Sequence, residues 1–379
     1  MKLKTTNSTF IIKVICAILF ILFSFGFLYC YQADLIAMAQ HVLSEGKTHY
    51  DKMVGAVLIT GVLWLLQLGL QSMAAIPKRF YAVTFFPSLL ILAVLTDISP
   101  DIDQGFSFGA WVWCFPLLLA LYGIVYWLLI ALHKAESKNL KRAFTGEMWP
   151  NFSLFFIMFL LVGIVSNHDD VFHYRMRVEQ DLRQGDFRAA AMVGKQSAKT
   201  DSSLTMLRIY ALSAQGELGE QLFEYPLVGR SDAMLPNGRS VKMMYASEGK
   251  FYRHLGVWIK QRLPIYSYLH FLKGRHLDGK AAHDYELCAY LLDKKLSKFA
   301  QVLRKYYKID GRLPKHYREA LILLSHKTSD SDIQYHDDVM EADFADYKAM
   351  ADKAASEQVR HATLADAYGR TYWFYYQYR

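Results

Sequence analysis

Five stretches in the first 167 residues restrict what this chain can fold into, because each is long, apolar and almost free of charge: residues 10–30, 53–72, 80–97, 108–132 and 148–166. A helix rises 1.5 Å per residue, so about 20 apolar residues cross a hydrocarbon layer and about 17 is the lower limit. One such helix could be buried in a large soluble protein. Five in succession, joined by short polar links, call for a lipid solvent, and five transmembrane helices are expected. Pro87 and Pro116 fall within spans and predict kinks; Lys13 is the one charge in the first span. The MKLK start suits a signal peptide, but the apolar run is longer than a signal core and no small-x-small cleavage site follows. Bulky Tyr29 before Cys30 does not suit a lipoprotein site either, so the first helix is read as uncleaved.

Basic residues in short loops set the orientation. Lys2, Lys4, Lys78, Arg79, Lys134, Lys138, Lys141 and Arg142 fall on one side of the five spans. The other side has Lys47 and Lys52 in its first loop, and its second holds Asp97, Asp101 and Asp103 instead. The N-terminus is expected in the cytoplasm, and an odd number of spans puts the remainder outside it. The basic segment KAESKNLKR, 134–142, reads as a topology determinant at the lipid head groups.

Two domains follow, 1–167 in the membrane and 168–379 outside it. The chain has 43 basic and 35 acidic residues, of which 11 and 8 precede residue 168, leaving 32 and 27 in the second domain. That mild excess with both signs interspersed is a solvated surface; it is not a nucleic-acid footprint, and no nucleic-acid partner is expected. Cys288 is the only cysteine of that domain, which excludes an internal disulfide or a cysteine zinc cluster there.

The second domain reads as all-α. Leu204, Leu207, Ala211 and Ala214, then Leu296, Phe299, Leu303 and Tyr306, then Tyr317, Ala320, Leu321 and Leu324 keep helical spacing. RQGDFRAAA (183–191) has the look of a tetratricopeptide-repeat turn and second helix, with Gly185 in the turn, Phe187 packing back and Ala190 leaving room. AQGELGEQLF (214–223) offers a second such turn and LDKKLSKFAQVL (292–303) a degenerate third, without a fixed period. The expected fold is a tetratricopeptide-like irregular α-solenoid. The segment 228–249, rich in Gly with Pro236, reads as a long connection that splits the stack.

Four segments carry a resemblance: YQADLIAMAQHVLSEGKTHYDKMVGAVLIT (31–60), HDYELCAYLLDKKLSKFAQVL (283–303), LPKHYREALIL (313–323) and the terminal TYWFYYQY. Together they resemble an uncharacterised family of bacterial multi-pass membrane proteins that carries only a domain-of-unknown-function label and has an exported helical-repeat tail. The resemblance implies a bacterial inner-membrane protein with a periplasmic C-terminal domain. It implies no catalytic residue.

In the first outer loop His41, Glu45 and His49 would share one face of a continuous helix at i, i+4 and i+8, a candidate metal or proton-transfer group, although Gly46 weakens that helix. His168, Asp169, Asp170 and His173 follow the fifth span and could complete a composite site. Asp337 and Asp338, in a second HDD at 336–338, read as the acidic first turn of a helix. No G-x-S-x-G, phosphate-binding glycine loop or zincin motif occurs, and no cofactor is indicated. In TYWFYYQYR, Tyr372, Tyr375 and Tyr376 continue a helical face that would close the repeat stack. Trp373, Phe374 and Tyr378 point elsewhere, so Tyr372, Trp373, Phe374 and Tyr378 are the expected interaction residues, toward the bilayer or a partner.

The function expected is a membrane-anchored scaffold presenting helical repeats outside the cytoplasmic membrane, with the lipid bilayer and a protein partner on the repeat surface. The alternatives are a membrane enzyme or a transporter or assembly accessory subunit. Lipid-linked glycosyl transferases are similar in combining outer-loop carboxylates with helical-repeat tails; here Asp34, Glu45 and Asp51 would be the acids.

Overall fold

The computed structural model describes residues 2–73, 76–135, 144–309, 312–327 and 335–379. Lys138, Lys141 and Arg142 of the basic loop lie outside them. Every regular element among the described residues is helical, and the chain divides into two compact units, Met1–Asp169 and Asp170–Arg379.

The first unit begins with α1, Lys2–Gly26, which widens into a π-helical turn at Phe27–Tyr31 closed by Gln32 N–H on Phe27 O. After α2, Ala33–Leu43, the chain turns through Glu45 and Gly46, both left-handed. α3, Lys52–Met73, starts on an Asp51 cap that accepts Val54 N–H at 2.8 Å. A 3-10 segment, Lys78–Phe85, leads into α4, Phe86–Thr96; α5, Trp111–Ala135, and α6, Phe144–Val165, complete the unit. Five helical segments, Phe10–Tyr31, Lys52–Ser72, Lys78–Thr96, Trp111–Ala131 and Gly146–Val165, are long and apolar enough to cross a membrane.

Pro87 does not kink a continuous helix as expected. It sits in the first turn of α4, where its missing N–H has no intrahelical acceptor to lose. The preceding 3-10 segment is held by polar side chains instead. Asn151 of α6 accepts Ala82 N–H at 2.8 Å and donates to Lys78 O at 2.9 Å and Glu147 O at 2.8 Å. Gln67 of α3 donates to Tyr81 Oη at 3.1 Å and Thr84 Oγ1 at 2.9 Å. Around these bonds pack Phe20, Phe85 and Phe155, with ring centroids 5.0 and 5.2 Å apart in succession. α5 is held differently: no residue of its apolar window is buried, and Phe86 stacks on its Tyr122 at 5.4 Å.

The second unit opens with α7, Asp170–Gln184, α8, Phe187–Met192, and α9, Ser202–Gln215. The α7–α8 turn uses left-handed Gly185, and Asp186 caps α8 by accepting Ala189 N–H at 2.9 Å. α10, Leu218–Gln221, follows left-handed Gly216. α11, Glu248–Leu255, α12, Ile265–Gly274, α13, Lys280–Leu292, and α14, Leu296–Tyr306, come next. α15, Lys315–Lys327, α16, Asp338–Lys353, α17, Glu357–Tyr368, and α18, Tyr372–Tyr378, complete it. Asp337 caps α16 by accepting Met340 N–H at 3.1 Å.

The segment 228–249 is not a free connection. Ala233, Met234, Leu235 and Val241 are buried in the core of this unit. Glu179 of α7, completely buried, accepts the backbone N–H groups of Met244 (2.9 Å), Tyr245 (2.5 Å) and Ala246 (2.8 Å). The stretch 242–246 has no helical bonds and can be buried only if something satisfies its N–H groups, and one carboxylate here satisfies three. Burial pushes the Glu179 carboxyl up while those N–H groups and Arg175 act against the rise.

Candidate functional site

α13 is the central helix of the second unit and is apolar around most of its circumference; Tyr285, Leu287, Cys288, Ala289, Leu291 and Leu292 are all buried. Its remaining edge is polar. His283, Glu286, Tyr290 and Asp293 recur at i, i+3, i+7 and i+10, which places them on one stripe. Flanking helices add partners to each. Lys273 from the end of α12 donates to both Glu286 oxygens, at 2.7 and 2.6 Å, and Tyr306 from the end of α14 donates to Glu286 Oε2 at 2.8 Å. His283 stacks on Tyr306 at 3.8 Å and contacts Asp278 at 3.1 Å. Tyr266 stacks on Tyr290 at 5.3 Å and donates to Asp293 at 2.7 Å, and Lys295 holds the same carboxylate at 2.7 Å.

The charges on this stripe are fixed by their neighbours. Burial works against the Lys273 ammonium, but its bonds to Glu286 and Tyr306 hold it above the usual lysine range. Burial opposes the Asp293 carboxylate too, and Lys295, Tyr266 and Ser231 outweigh it, so Asp293 stays below the usual carboxylate range. Burial raises Tyr266, Tyr290 and Tyr306, which remain protonated donors. The result is a row of partly exposed aromatic rings with their hydroxyls and rotamers already committed. Tyrosines held this way offer contact area at low entropic cost, a property of binding surfaces.

Behind the stripe is a second polar cluster. Asp284, buried, accepts Tyr307 O–H at 2.6 Å and Tyr317 O–H at 3.1 Å, and Cys288 Sγ is 3.6 Å from Tyr317 Oη. Burial raises the Asp284 carboxyl, with the two tyrosine hydroxyls opposing. These groups bond α13, α14 and α15 into one core.

The loop residues singled out as metal ligands do not share one helix face. α2 ends at Leu43, so the face that would align His41, Glu45 and His49 never forms; Gly46 and the left-handed Glu45 end it. The His41 ring lies against Gly46, exposed Glu45 pairs with Lys47 at 3.1 Å, and His49 follows in nonhelical chain. Among the described residues no group of three or more His, Cys, Asp or Glu is placed to hold a metal ion. The acids proposed for glycosyl transfer have local partners: Asp34 pairs with Lys52 at 2.7 Å, and Asp51 is the α3 cap. His168 contacts Ser166 O at 3.0 Å, and Asp170 pairs with Lys199 at 2.5 Å.

The terminal rings are corrected as well. Trp373 and Phe374, expected to face outward, are buried along with Tyr372. Trp373 Nε1 donates to Glu319 O at 2.8 Å and its ring lies 5.0 Å from Phe344. Phe374 lies 5.3 Å from His361 and 5.0 Å from Tyr378, which remains partly exposed. α18 has α15 on one side and α16 and α17 on others, so more than one of its faces is covered.

The sequence reading missed the α13 stripe. Its signal was present in HDYELCAYLLDKK, where polar residues recur at helical spacing within an apolar helix, but the flanking Tyr266, Lys273 and Tyr306 give no such signal. Residues 267–379 match a family described as a family of unknown function (DUF6057), a span that includes the stripe except for Tyr266. No match was found among curated proteins or among solved structures.

Proposed function

We propose that the chain is a multi-pass protein of the bacterial inner membrane, N-terminus in the cytoplasm, whose periplasmic C-terminal unit is an irregular helical-repeat scaffold for a protein partner. The α13 stripe carries this reading: Tyr266, Tyr290 and Tyr306 are partly exposed, yet each is fixed by stacking or by a charge-assisted hydrogen bond. Binding surfaces are enriched in rigid aromatic anchors of this kind. The capped turns between α7 and α8 and between α9 and α10 support the repeat reading, and the basic bias at Lys78 and Arg79 supports the orientation.

Two experiments test it. Reporters fused after Lys141 and after Arg379 are expected on opposite sides of the membrane; a cytoplasmic C-terminal unit would refute the orientation. A photo-crosslinking amino acid in place of Tyr290, incorporated in living cells, should give one discrete adduct that Tyr266→Ala with Tyr306→Ala removes. No adduct, or one insensitive to both substitutions, would refute the binding role of the stripe.

A further inference from the structure

Where α13 ends, Lys294 occupies a position that normally belongs to glycine. Lys294 N–H bonds to Leu291 O at 3.0 Å and Lys295 N–H to Tyr290 O at 2.8 Å, the paired closure of a helix that requires a left-handed residue between. Lys294 supplies that conformation with φ 58, which a Cβ makes unfavourable. Its side chain then shares a tyrosine ring with a second cation. The ammonium is 5.7 Å from the centroid of the Tyr376 ring and 5.9 Å from that of Tyr375; Lys327 Nζ is 4.1 Å from the same Tyr376 ring. Burial first, then the positive charges of Arg230 and Lys327, hold Lys294 below the usual lysine range, with Tyr376 opposing.

Among the described residues no carboxylate forms a salt bridge with Arg230, Lys294 or Lys327, and Asp293 beside them is held by Lys295 and Tyr266. Lys327 donates to Tyr376 Oη at 3.0 Å, which leaves the hydroxyl proton without an acceptor among the described residues. Among the described residues the patch therefore offers two ammonium groups and one phenol as donors, and the Tyr376 hydroxyl is the acceptor of one of them. A strained backbone and two like charges sharing one ring, in one place, indicate a constraint other than stability.

We propose that Lys294, Lys327 and Tyr376 form a binding site for a phosphate-type oxyanion, supplied by a free phosphate-bearing ligand or by a lipid head group. The two ammonium groups match the charge of a phosphate, and the Tyr376 hydroxyl adds a donor. The site does not depend on partner binding at the stripe.

The test uses the full chain in phosphatidylcholine nanodiscs and reads acetylation of Lys294 and Lys327 by mass spectrometry. Inorganic phosphate, against chloride of equal ionic strength, is expected to slow acetylation of both lysines about tenfold at ten times its dissociation constant. Protection by phosphatidylglycerol in the nanodisc without added phosphate would assign the lipid as the source; protection by inorganic phosphate alone would assign a free ligand. Protection by neither overturns the site. Lys294→Gly relieves the left-handed strain, so its melting temperature in chloride should equal or exceed that of the unsubstituted protein, while phosphate protection of Lys327 is lost. A Lys294→Gly protein that keeps full protection of Lys327 also overturns the proposal.

Discussion

The backbone N–H of Tyr372 donates to Glu319 Oε2 at 2.7 Å, joining α18 to α15 through a carboxylate that is buried. The same oxygen is 2.8 Å from His316 Nδ1, and His316 Nε2 accepts Phe223 N–H at 3.2 Å. Because Nε2 is an acceptor, the imidazole proton is on Nδ1 and points at Glu319. One carboxylate thus organises a neutral histidine, a helix N-terminus and, through Phe223, the turn after α10.

Replacing Glu319 by Ala leaves Tyr372 N–H and His316 Nδ1–H without their acceptor in the core. Each orphaned donor costs about 1–3 kcal/mol, so the second unit should lose roughly 2–6 kcal/mol and melt at a lower temperature. Glu319→Gln, which keeps one oxygen acceptor, should fall between. Differential scanning fluorimetry of detergent-solubilised protein decides this; an unchanged midpoint for Glu319→Ala would show that the bond does not hold α18.

Trp373 and Tyr378 should behave differently although they are five positions apart. Trp373→Ala removes a buried indole and its bond to Glu319 O, at a cost of about 3–5 kcal/mol. Tyr378→Ala, at a partly exposed site, should cost about 1 kcal/mol or less. Chemical denaturation of the two variants, followed by helical circular dichroism, should order them this way, and equal costs would contradict the burial of Trp373.

His254 gives the second unit a pH dependence. Its Nε2 is 2.9 Å from Ser213 Oγ and its ring 5.5 Å from that of Tyr210, and burial lowers its pKa. The unfolded chain keeps the imidazole proton up to about pH 6.5, while the folded chain releases it at lower pH. Between those values the unfolded state binds more protons, so this group makes stability rise with pH and adds nothing further above about pH 6.5. His254→Gln should flatten that part of the stability curve in denaturant melts from about pH 5 to 7.5; an identical slope in both proteins would refute the assignment.

Asn151 should matter in the first unit out of proportion to its size. Asn151→Leu keeps the volume but removes bonds to Ala82 N–H, Lys78 O and Glu147 O. Interhelical hydrogen bonds in membrane proteins are worth about 0.6 kcal/mol on average and up to about 1.7, so a loss of about 1–3 kcal/mol is expected. Unfolding in mixed micelles of increasing dodecyl sulfate measures it, and wild-type resistance would show that the 3-10 segment is held by apolar packing.

Apolar run length, helical spacing and turn chemistry depend on neighbouring residues alone, and these features could be read directly. They include the five apolar helices, the Gly185 and Gly216 turns and the Asp337 cap. The α13 stripe and the fate of the terminal rings could not be read, because each depends on groups far apart in the chain. Trp373 points away from the face shared by Tyr372 and Tyr376, as its helical position requires, yet α16 brings Phe344 and Tyr347 against it. In the same way Glu179 serves N–H groups 65 to 67 residues away. Local composition determined which segments are helical and which of them suit a hydrocarbon layer. Tertiary contact alone decided which faces are buried and which charges find partners, since burial depends on what arrives from elsewhere in the chain.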